Sequence, residues 1–203
     1  MFSFFYDLTL LLFALVSLPK WLWQWLVLRK HRESLSARLG LSLPSFTSQK
    51  GQAVIWVHSV SMGETRAVVP LYHKLRAAYP QAAIVISTTT ETGNAEARRS
   101  MPGASAYFFL PLDFSWIIRR LVKCIRPTML IMCESDFWYH LLHTAKNSGA
   151  HIALVNGKVS ERSCNRFQKS VIFYATPLFL LRYPLHSKPA LLRAFPLPRH
   201  PFR

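Results

Sequence analysis

The chain has 203 residues, of which 51% are hydrophobic, so it is long and apolar enough for one domain with a sizeable core and an appendage. Lys and Arg number 25 against 9 Asp and Glu, and the resulting formal charge of +16 implies an anionic partner. The three cysteines have no metal-like spacing, which argues against a cysteine-bound metal and favours reduced thiols on the cytoplasmic side over a disulfide.

The first predicted element is an apolar N-terminal helix. Residues 4–28 carry only two formal charges, at Asp7 and Lys20, and their length is about the roughly 20 residues that cross a bilayer. Tryptophans, which favour the headgroup level, follow at positions 21, 23 and 25. The basic stretch "RKHRESLSAR" comes after the apolar run, whereas a cleaved signal peptide has its charges first. We therefore predict a membrane anchor over residues 1–30 with the rest of the chain in the cytoplasm; the alternative is a buried or interfacial helix.

A basic segment and linker over residues 31–50 precedes a region where short apolar runs alternate with longer mixed segments. The runs are rich in β-branched and aromatic residues and predict strands at residues 54–59, 83–88, 106–111, 129–135 and 151–157. The segments between them predict helices at residues 64–79, 93–100, 115–125 and 138–148. Strands buried on both faces that alternate with helices indicate an α/β domain with a parallel sheet over residues 51–168.

The C-terminal segment, residues 169–203, has a different composition. It contains no acidic residue and no glycine, and it holds six of the chain's 13 prolines. Prolines at this density exclude a regular helix or a central strand, so we expect an irregular, basic, proline-rich tail. Two interpretations stay open: an extended segment that lies on a membrane or partner, and the product of a shifted reading frame.

Candidate functional residues follow the predicted strands, because ligands of an open parallel sheet bind beyond the carboxyl ends of its strands. For Thr92 and Asp113 we prefer ordinary helix capping. For the hydroxyl-rich loop at residues 87–90, binding of sugar or phosphate and capping or turn formation are equally good interpretations. Glu64 follows Gly63, which permits close approach of a ligand. Its carboxylate is suited either to taking a proton from a hydroxyl or to capping the helix.

Five segments occur together and in the order of one known family: "WVHSVSMGET", "STTTETGN", "FFLPLDF", "RPTMLIMCESDFW" and "VNGKVSERS". Over residues 1 to about 168 the chain resembles the N-terminal half of the bacterial 3-deoxy-D-manno-octulosonic acid (Kdo) transferases, the chlamydial ones in particular. The resemblance implies transfer of Kdo from CMP-Kdo to a lipid A precursor in lipopolysaccharide biosynthesis. It also implies a GT-B fold of two Rossmann-like domains, an inverting reaction, and no metal or cofactor beside the donor substrate.

The resemblance assigns roles to individual residues. It implies that Glu64 is the general base toward the acceptor hydroxyl. The implied acceptor-binding residues are Ser61, Gly63, Glu134, Lys158 and Arg162. The chain departs from the family pattern in the second acidic motif, where Ser135 and Asp136 replace Thr and Glu. Lys158 stands where Arg is usual, which keeps the charge but loses the bidentate geometry.

The resemblance also implies an N-terminal half that binds the lipid acceptor at the inner membrane, and a donor-binding half that these residues do not include. We therefore expect a truncated or frame-shifted transferase with little activity alone; the alternative is a non-catalytic, membrane-bound module that binds the lipid acceptor. The expected partners are the lipid A precursor, CMP-Kdo and the anionic surface of the inner membrane, which would attract Arg29, Lys30, Arg32 and Arg38. Nucleic acid is not expected, because the chain has no nucleic-acid module and its basic residues accompany a membrane segment.

Overall fold

The computed structural model describes residues 2–26, 34–134 and 138–157, apart from the side chains of residue 22 and residues 24–26. The helices are α1 (Phe2–Leu26), α2 (Leu35–Arg38), α3 (Met62–Ala78), α4 (Glu91–Ser100), α5 (Ser115–Ile125) and α6 (Tyr139–Asn147). The strands are β1 (Val54–Ser59), β2 (Ala83–Thr88), β3 (Ala106–Phe109), β4 (Met129–Cys133) and β5 (His151–Val155).

The α/β fold predicted from the sequence is confirmed, and every predicted strand and helix is present with bounds that differ by a few residues. β4 and β5 end sooner than predicted because Glu134 and Asn156 follow them in the left-handed region, with φ of 63° and 52°. α3 and α4 begin earlier than predicted because Ser61 and Thr90 are their N-caps. The short helix α2 was not predicted, and the proline-rich tail lies outside the described residues.

The described strands form a parallel sheet in the order β3-β2-β1-β4-β5, as in a Rossmann-like fold. Val57 of the central strand β1 is paired with Ile86 of β2 on one side and Ile131 of β4 on the other. The chain therefore runs outward from β1 to β3 and then crosses to β4 on the opposite side. Ligands of such sheets bind where this direction reverses, which here is beyond the carboxyl ends of β1 and β4.

Helices cover both faces of the sheet, which explains why the strands read as continuous apolar runs. Successive strand residues point to opposite faces, so β1 contributes Trp56 to one core and Val57 to the other. α5 and α6 pack on the first face, and α3 and α4 on the second. Trp56 is 0% exposed and is the largest of the fully buried side chains. The sheet is therefore a rigid support for the loops at its carboxyl edge.

The N-terminal helix α1 lies outside these two layers. Among the described residues, it is the one helix long and apolar enough to cross a membrane, over Phe2–Trp21. Many of its large apolar side chains are exposed, among them Phe4, Phe13 and Val16. Its polar residues Tyr6 and Asp7 instead form hydrogen bonds with the α/β domain. α1 is thus attached to the domain through its few polar groups.

Candidate functional site

Glu64 lies in the first turn of α3, directly beyond the carboxyl end of β1. Ser61 is the N-cap of this helix, and its hydroxyl accepts a hydrogen bond from the Glu64 backbone N–H at 3.3 Å. The carboxylate turns back toward the cap. Its Oε2 accepts from the Val60 backbone N–H at 2.8 Å, and its Oε1 accepts from the Ser61 hydroxyl at 3.0 Å. This reciprocal arrangement is a variant of the capping box, so Glu64 does cap the helix.

Capping leaves the Glu64 carboxylate with unused acceptor capacity. A carboxylate offers about four lone-pair positions, and the bonds from Val60 and Ser61 occupy two of them. These two bonds hold the carboxylate in one orientation. The residue is 9% exposed. Capping and proton transfer are therefore compatible at Glu64, and the geometry does not force a choice between them.

The hydroxyl-rich loop after β2 supports the turn that carries Glu64. The Thr90 hydroxyl accepts from the Gly93 backbone N–H at 3.1 Å, which caps α4, and donates to the Val60 carbonyl at 3.1 Å. The Ser87 hydroxyl is held by Trp56 and His58, and the Thr88 hydroxyl accepts from Asn94. These bonds favour capping and turn formation over ligand binding for Ser87, Thr88 and Thr90. The predicted capping role of Thr92 is wrong, because the N-cap of α4 is Thr90.

Two glycines near Glu64 have different reasons to lack a side chain. A Cβ on Gly93 would lie 2.9 Å from Thr90 Oγ1 and 3.3 Å from the Ser61 carbonyl carbon, so Gly93 lets the starts of α3 and α4 pack together. A Cβ on Gly63 would have only Ser61 Oγ within reach, at 3.9 Å. Packing within the described residues therefore does not require a glycine at position 63. Its bare backbone leaves room for a ligand beside Glu64.

Glu134 lies on the other side of the switch point, directly after β4. Its backbone is left-handed, as is that of Asn156 after β5, and the Asn156 side-chain amide donates to Glu134 Oε1 at 3.3 Å. Cys133, the last residue of β4, places its thiol 3.8 Å from the Glu64 carbonyl oxygen. The end of β4 therefore adjoins the first turn of α3. Backbone strain of this kind, about 1–3 kcal/mol for each residue, is often found at functional sites.

Comparison with known proteins agrees with this architecture. Residues 33–183 match the family model of the 3-deoxy-D-manno-octulosonic-acid transferases (Kdo transferases). The chain is 36% identical to the Kdo transferase of Chlamydophila psittaci over 166 residues, which are 81% of this chain and 38% of that protein. The chain belongs to the Kdo transferase family. The Chlamydia pneumoniae enzyme is 33% identical over 168 residues (82% of this chain, 38% of that enzyme), and the Haemophilus influenzae enzyme 28% over 141 residues (69% and 32%). This chain thus spans about two fifths of the chlamydial relatives' length.

The structure brings together four of the six residues predicted for the site. Ser61, Gly63 and Glu64 lie in one turn, and Glu134 follows the neighbouring strand. Lys158 and Arg162 lie outside the described residues, so their roles stay predictions. Asn156 was not among the predicted site residues. Its position directly after a buried strand, and the tolerance of Asn for left-handed backbone, are the signals that point to it.

A second residue missed in the sequence is His58, the fifth residue of β1. Its Nδ1 lies 2.8 Å from the Ser87 hydroxyl, which also accepts from Trp56 Nε1 at 2.7 Å. Burial lowers the pKa of His58 to about 4, so its imidazole is neutral at physiological pH. Its Nε2 has no hydrogen-bond partner among the described residues. A histidine near the end of a buried apolar strand, next to the switch point, is the sequence signal for this group.

Asp113 and Arg38 have structural partners. Asp113 caps a helix, although not α5, the helix that follows it in the chain and that we had predicted it to cap. The helix is α6, whose His140 and Leu141 backbone N–H groups each donate to the carboxylate at 2.9 Å. Burial raises the pKa of Asp113 to about 7, against the opposing effect of these bonds. The Arg38 guanidinium donates to the Thr89 carbonyl at 2.5 Å, and burial lowers its pKa. Arg38 therefore contacts the domain directly, and its attraction to the inner-membrane surface stays a prediction.

Proposed function

We propose that this chain provides the acceptor side of a glycosyltransferase that moves Kdo from CMP-Kdo to a lipid A precursor in lipopolysaccharide biosynthesis. Membership of the Kdo transferase family supports the reaction class. The observation that carries the proposal is the placement of Glu64. Its carboxylate is oriented by two hydrogen bonds, beside a bare glycine backbone, at the carboxyl edge where ligands of such sheets bind.

In the proposed reaction, Glu64 is the general base. The acceptor hydroxyl oxygen forms a bond to the anomeric carbon of Kdo while the bond from that carbon to CMP breaks, with inversion. The proton of the hydroxyl passes to a free lone pair of the Glu64 carboxylate. The bonds from Val60 and Ser61 contribute by holding the carboxylate in place, so that little reorganisation is needed during transfer. No step requires a metal ion.

The acceptor would lie along the edge between β1 and β4. Gly63 and Ser61 would contact it from one side, and Glu134, oriented by Asn156, from the other. Lys158 and Arg162 would contribute positive charge toward an acceptor that bears phosphates. The apolar helix α1 supports attachment to the inner membrane, where a lipid acceptor would be found, with the domain on the cytoplasmic side.

A second function is a membrane-bound module that binds the lipid acceptor without catalysis. The observation in its favour is that both carboxylate oxygens of Glu64 already take part in capping. The two functions make different demands on this residue. Capping needs only acceptor and donor groups of the right shape, whereas a general base needs an ionisable oxygen.

The substitution Glu64→Gln separates these demands. The glutamine carbonyl can accept from Val60, and its amide can donate to the Ser61 hydroxyl, so the melting temperature should change by only a few degrees. Transfer should fall by about two to four orders of magnitude. The measurement is Kdo transfer from CMP-Kdo to a lipid A precursor by a chimera in which residues 1–157 replace the matching segment of the Chlamydophila psittaci enzyme.

Ser61→Ala is the matched control, because it weakens the cap and keeps the carboxylate. It should cost about 1 kcal/mol of stability and lower transfer far less than Glu64→Gln does, because the ionisable oxygen of Glu64 stays. Near-normal transfer by Glu64→Gln would show that Glu64 is not the general base. A chimera that binds the lipid A precursor but transfers nothing, with the native Glu64 present, would favour the binding module.

A further inference from the structure

The N-terminal helix α1 has an inverted distribution of side chains. In a water-soluble protein the large apolar residues of a helix face the core and the small or polar ones face water. In α1 the large apolar residues are the exposed ones: Val16 is 81% exposed, Phe13 69% and Phe4 68%. The less exposed positions recur every three or four residues along one side, at Phe2, Ser3, Tyr6, Asp7, Leu10, Ala14, Ser17 and Trp21. The less exposed side of α1 therefore holds its small and polar residues together with some large ones such as Leu10 and Trp21, and most of the other large apolar residues face outward.

The domain holds α1 at two points. Near the start of the helix, Asp7 Oδ1 accepts from the Ser115 backbone N–H at 3.0 Å and lies 3.0 Å from His140 Nε2. In the preceding residue, the Tyr6 hydroxyl donates to Asp113 at 3.1 Å. Near the end of the helix, the Trp21 ring centroid lies 5.6 Å from the Arg38 guanidinium carbon. Helix α1 is thus attached to one rigid body both at residues 6–7 and at residue 21.

These two attachments constrain the direction of α1. At 1.5 Å per residue, residues 7 and 21 are about 21 Å apart along the axis, a large part of the roughly 30 Å hydrocarbon core. A helix that crossed the bilayer while held at both points would carry polar groups of the domain into the hydrocarbon. Those groups include the half-buried Arg38 guanidinium, whose transfer from water costs several kcal/mol or more. The attachment geometry therefore favours a helix with both ends on one side of the membrane.

The domain surface next to the attachments has the composition of a membrane interface. Trp116 follows the residue bonded to Asp7 and is 54% exposed. Leu39 and Leu41 follow Arg38 and are 46% and 77% exposed. The outward side of α5 carries Trp116 together with the exposed cations Arg119, Arg120 and Lys123. Exposed indole and leucine beside Lys and Arg are typical of surfaces that lie at the headgroup level of anionic lipids.

We infer that α1 lies in the plane of the membrane surface, with its apolar side in the headgroup–acyl boundary and its less exposed side docked on the domain. The occupant of the exposed surface is an anionic phospholipid bilayer, which Trp116, Leu39, Leu41 and the cations of α5 also contact. The inference rests on the membrane attachment in the proposed function and specifies its form. An in-plane α1 would hold the carboxyl edge of the sheet close to the lipid surface. Asp113 follows β3 at that edge, and Arg38 contacts Thr89 directly after β2.

The position of the helix ends tests this inference. A cysteine inserted after Met1 and, separately, Ser45→Cys are prepared in a chain whose three native cysteines are alanine, and each is treated with a membrane-impermeant maleimide. An in-plane helix leaves both cysteines reactive in inside-out vesicles and protected in intact spheroplasts. Labelling of the inserted cysteine in intact spheroplasts, with Ser45→Cys protected, would show a spanning helix and overturn the inference while membrane attachment stands. Recovery of the chain in the soluble fraction would instead contradict membrane attachment as such.

Vesicle binding provides a second test. Lys123→Gln combined with Trp116→Ser should lower the fraction of purified chain bound to phosphatidylglycerol-rich vesicles several-fold, because an in-plane anchor depends on all of its contacts. Lys74→Gln, at an exposed position of α3 on the opposite face of the sheet, is the matched control for the lost charge. A spanning helix would hold the chain regardless of these residues, so unchanged binding of the double variant would contradict the inference.

Discussion

At the scale of single residues, the carboxyl edge of the sheet contains buried polar groups whose partners lie far away in the sequence. The network of Trp56, Ser87 and His58 is an example, since all three side chains are on the face of the sheet covered by α5 and α6. The imidazole is 1% exposed, and burial disfavours its charged form. His58 therefore adds a pH-dependent contribution to stability near the proposed site.

The pH dependence has a definite sign. In the unfolded chain His58 takes up a proton near pH 6.5, whereas in the folded chain its pKa is about 4. Between these values the unfolded state binds more protons, so stability falls as the pH falls. We expect the difference in unfolding free energy between the native chain and His58→Asn to shrink by on the order of 3 kcal/mol from pH 7 to pH 4.

The measurement is denaturant unfolding of both chains in mild detergent across this pH range. Asp113 has a raised pKa of about 7 and acts in the opposite direction, but it is common to both chains and cancels in the difference. Asparagine keeps an amide near the position of Nδ1, so the bond to Ser87 can be retained. Parallel stability curves would mean that His58 is not held neutral by burial.

At the scale of elements, the starts of α3 and α4 form one unit. Val60 donates its N–H to Glu64, and its carbonyl accepts from both the backbone and the hydroxyl of Thr90. Gly93 allows α4 to approach Ser61 closely. The orientation of Glu64 thus depends on a helix to which it does not belong. The segments "STTTETGN" and "VHSVSMGET" are thus joined by hydrogen bonds at the proposed site.

Gly93→Ala tests this packing. The new methyl group would press on Thr90 and on the Ser61 backbone, and overpacking of this kind costs about 1–3 kcal/mol. Gly63→Ala is the matched control within the same unit, because its methyl group meets only Ser61 Oγ at 3.9 Å and alanine favours the helix by up to about 1 kcal/mol. Melting temperatures followed by circular dichroism should therefore fall for Gly93→Ala and hold or rise for Gly63→Ala. Equal melting temperatures would contradict the packing interpretation.

At the scale of the whole molecule, the chain combines a Rossmann-like domain with a helix that the domain does not bury. Large apolar side chains of α1, such as Phe13 and Val16, are exposed, while Tyr6 and Asp7 form polar contacts with the domain. An exposed apolar surface of this length is unfavourable in water and favourable at a lipid surface. Membrane attachment is therefore expected to depend mainly on α1.

Deletion of residues 1–30 should move the protein from the membrane fraction to the soluble fraction at high salt. The loss of apolar area removes the main contact with lipid, and high salt screens what the cations of α5 still contribute. The measurement is sedimentation of membranes followed by detection of the chain in both fractions. The undeleted chain is the control, and its recovery as a soluble protein would contradict the anchor prediction.

The sequence by itself determined the α/β elements and the family. The strands could be read because burial on both faces demands uninterrupted β-branched and apolar runs, and β1 and β2 have the predicted bounds. The three-residue spacing of Ser61 and Glu64 indicates a capping interaction, because such an interaction depends only on residues close in the chain. The apolar composition of α1 likewise indicated affinity for a membrane, because transfer from water depends on composition alone.

Only the tertiary structure decided which of these features meet. The order of the strands places Glu134 beside the turn of Glu64, and no local pattern specifies which parallel strands become neighbours. The hydrogen bonds between Asp7 and Ser115 and between Tyr6 and Asp113 join residues more than 100 positions apart. They fix the direction in which the apolar helix α1 lies on the domain. The physical reason is that hydrogen bonding between distant residues depends on how the elements pack, whereas periodicity and capping depend on neighbours in the chain.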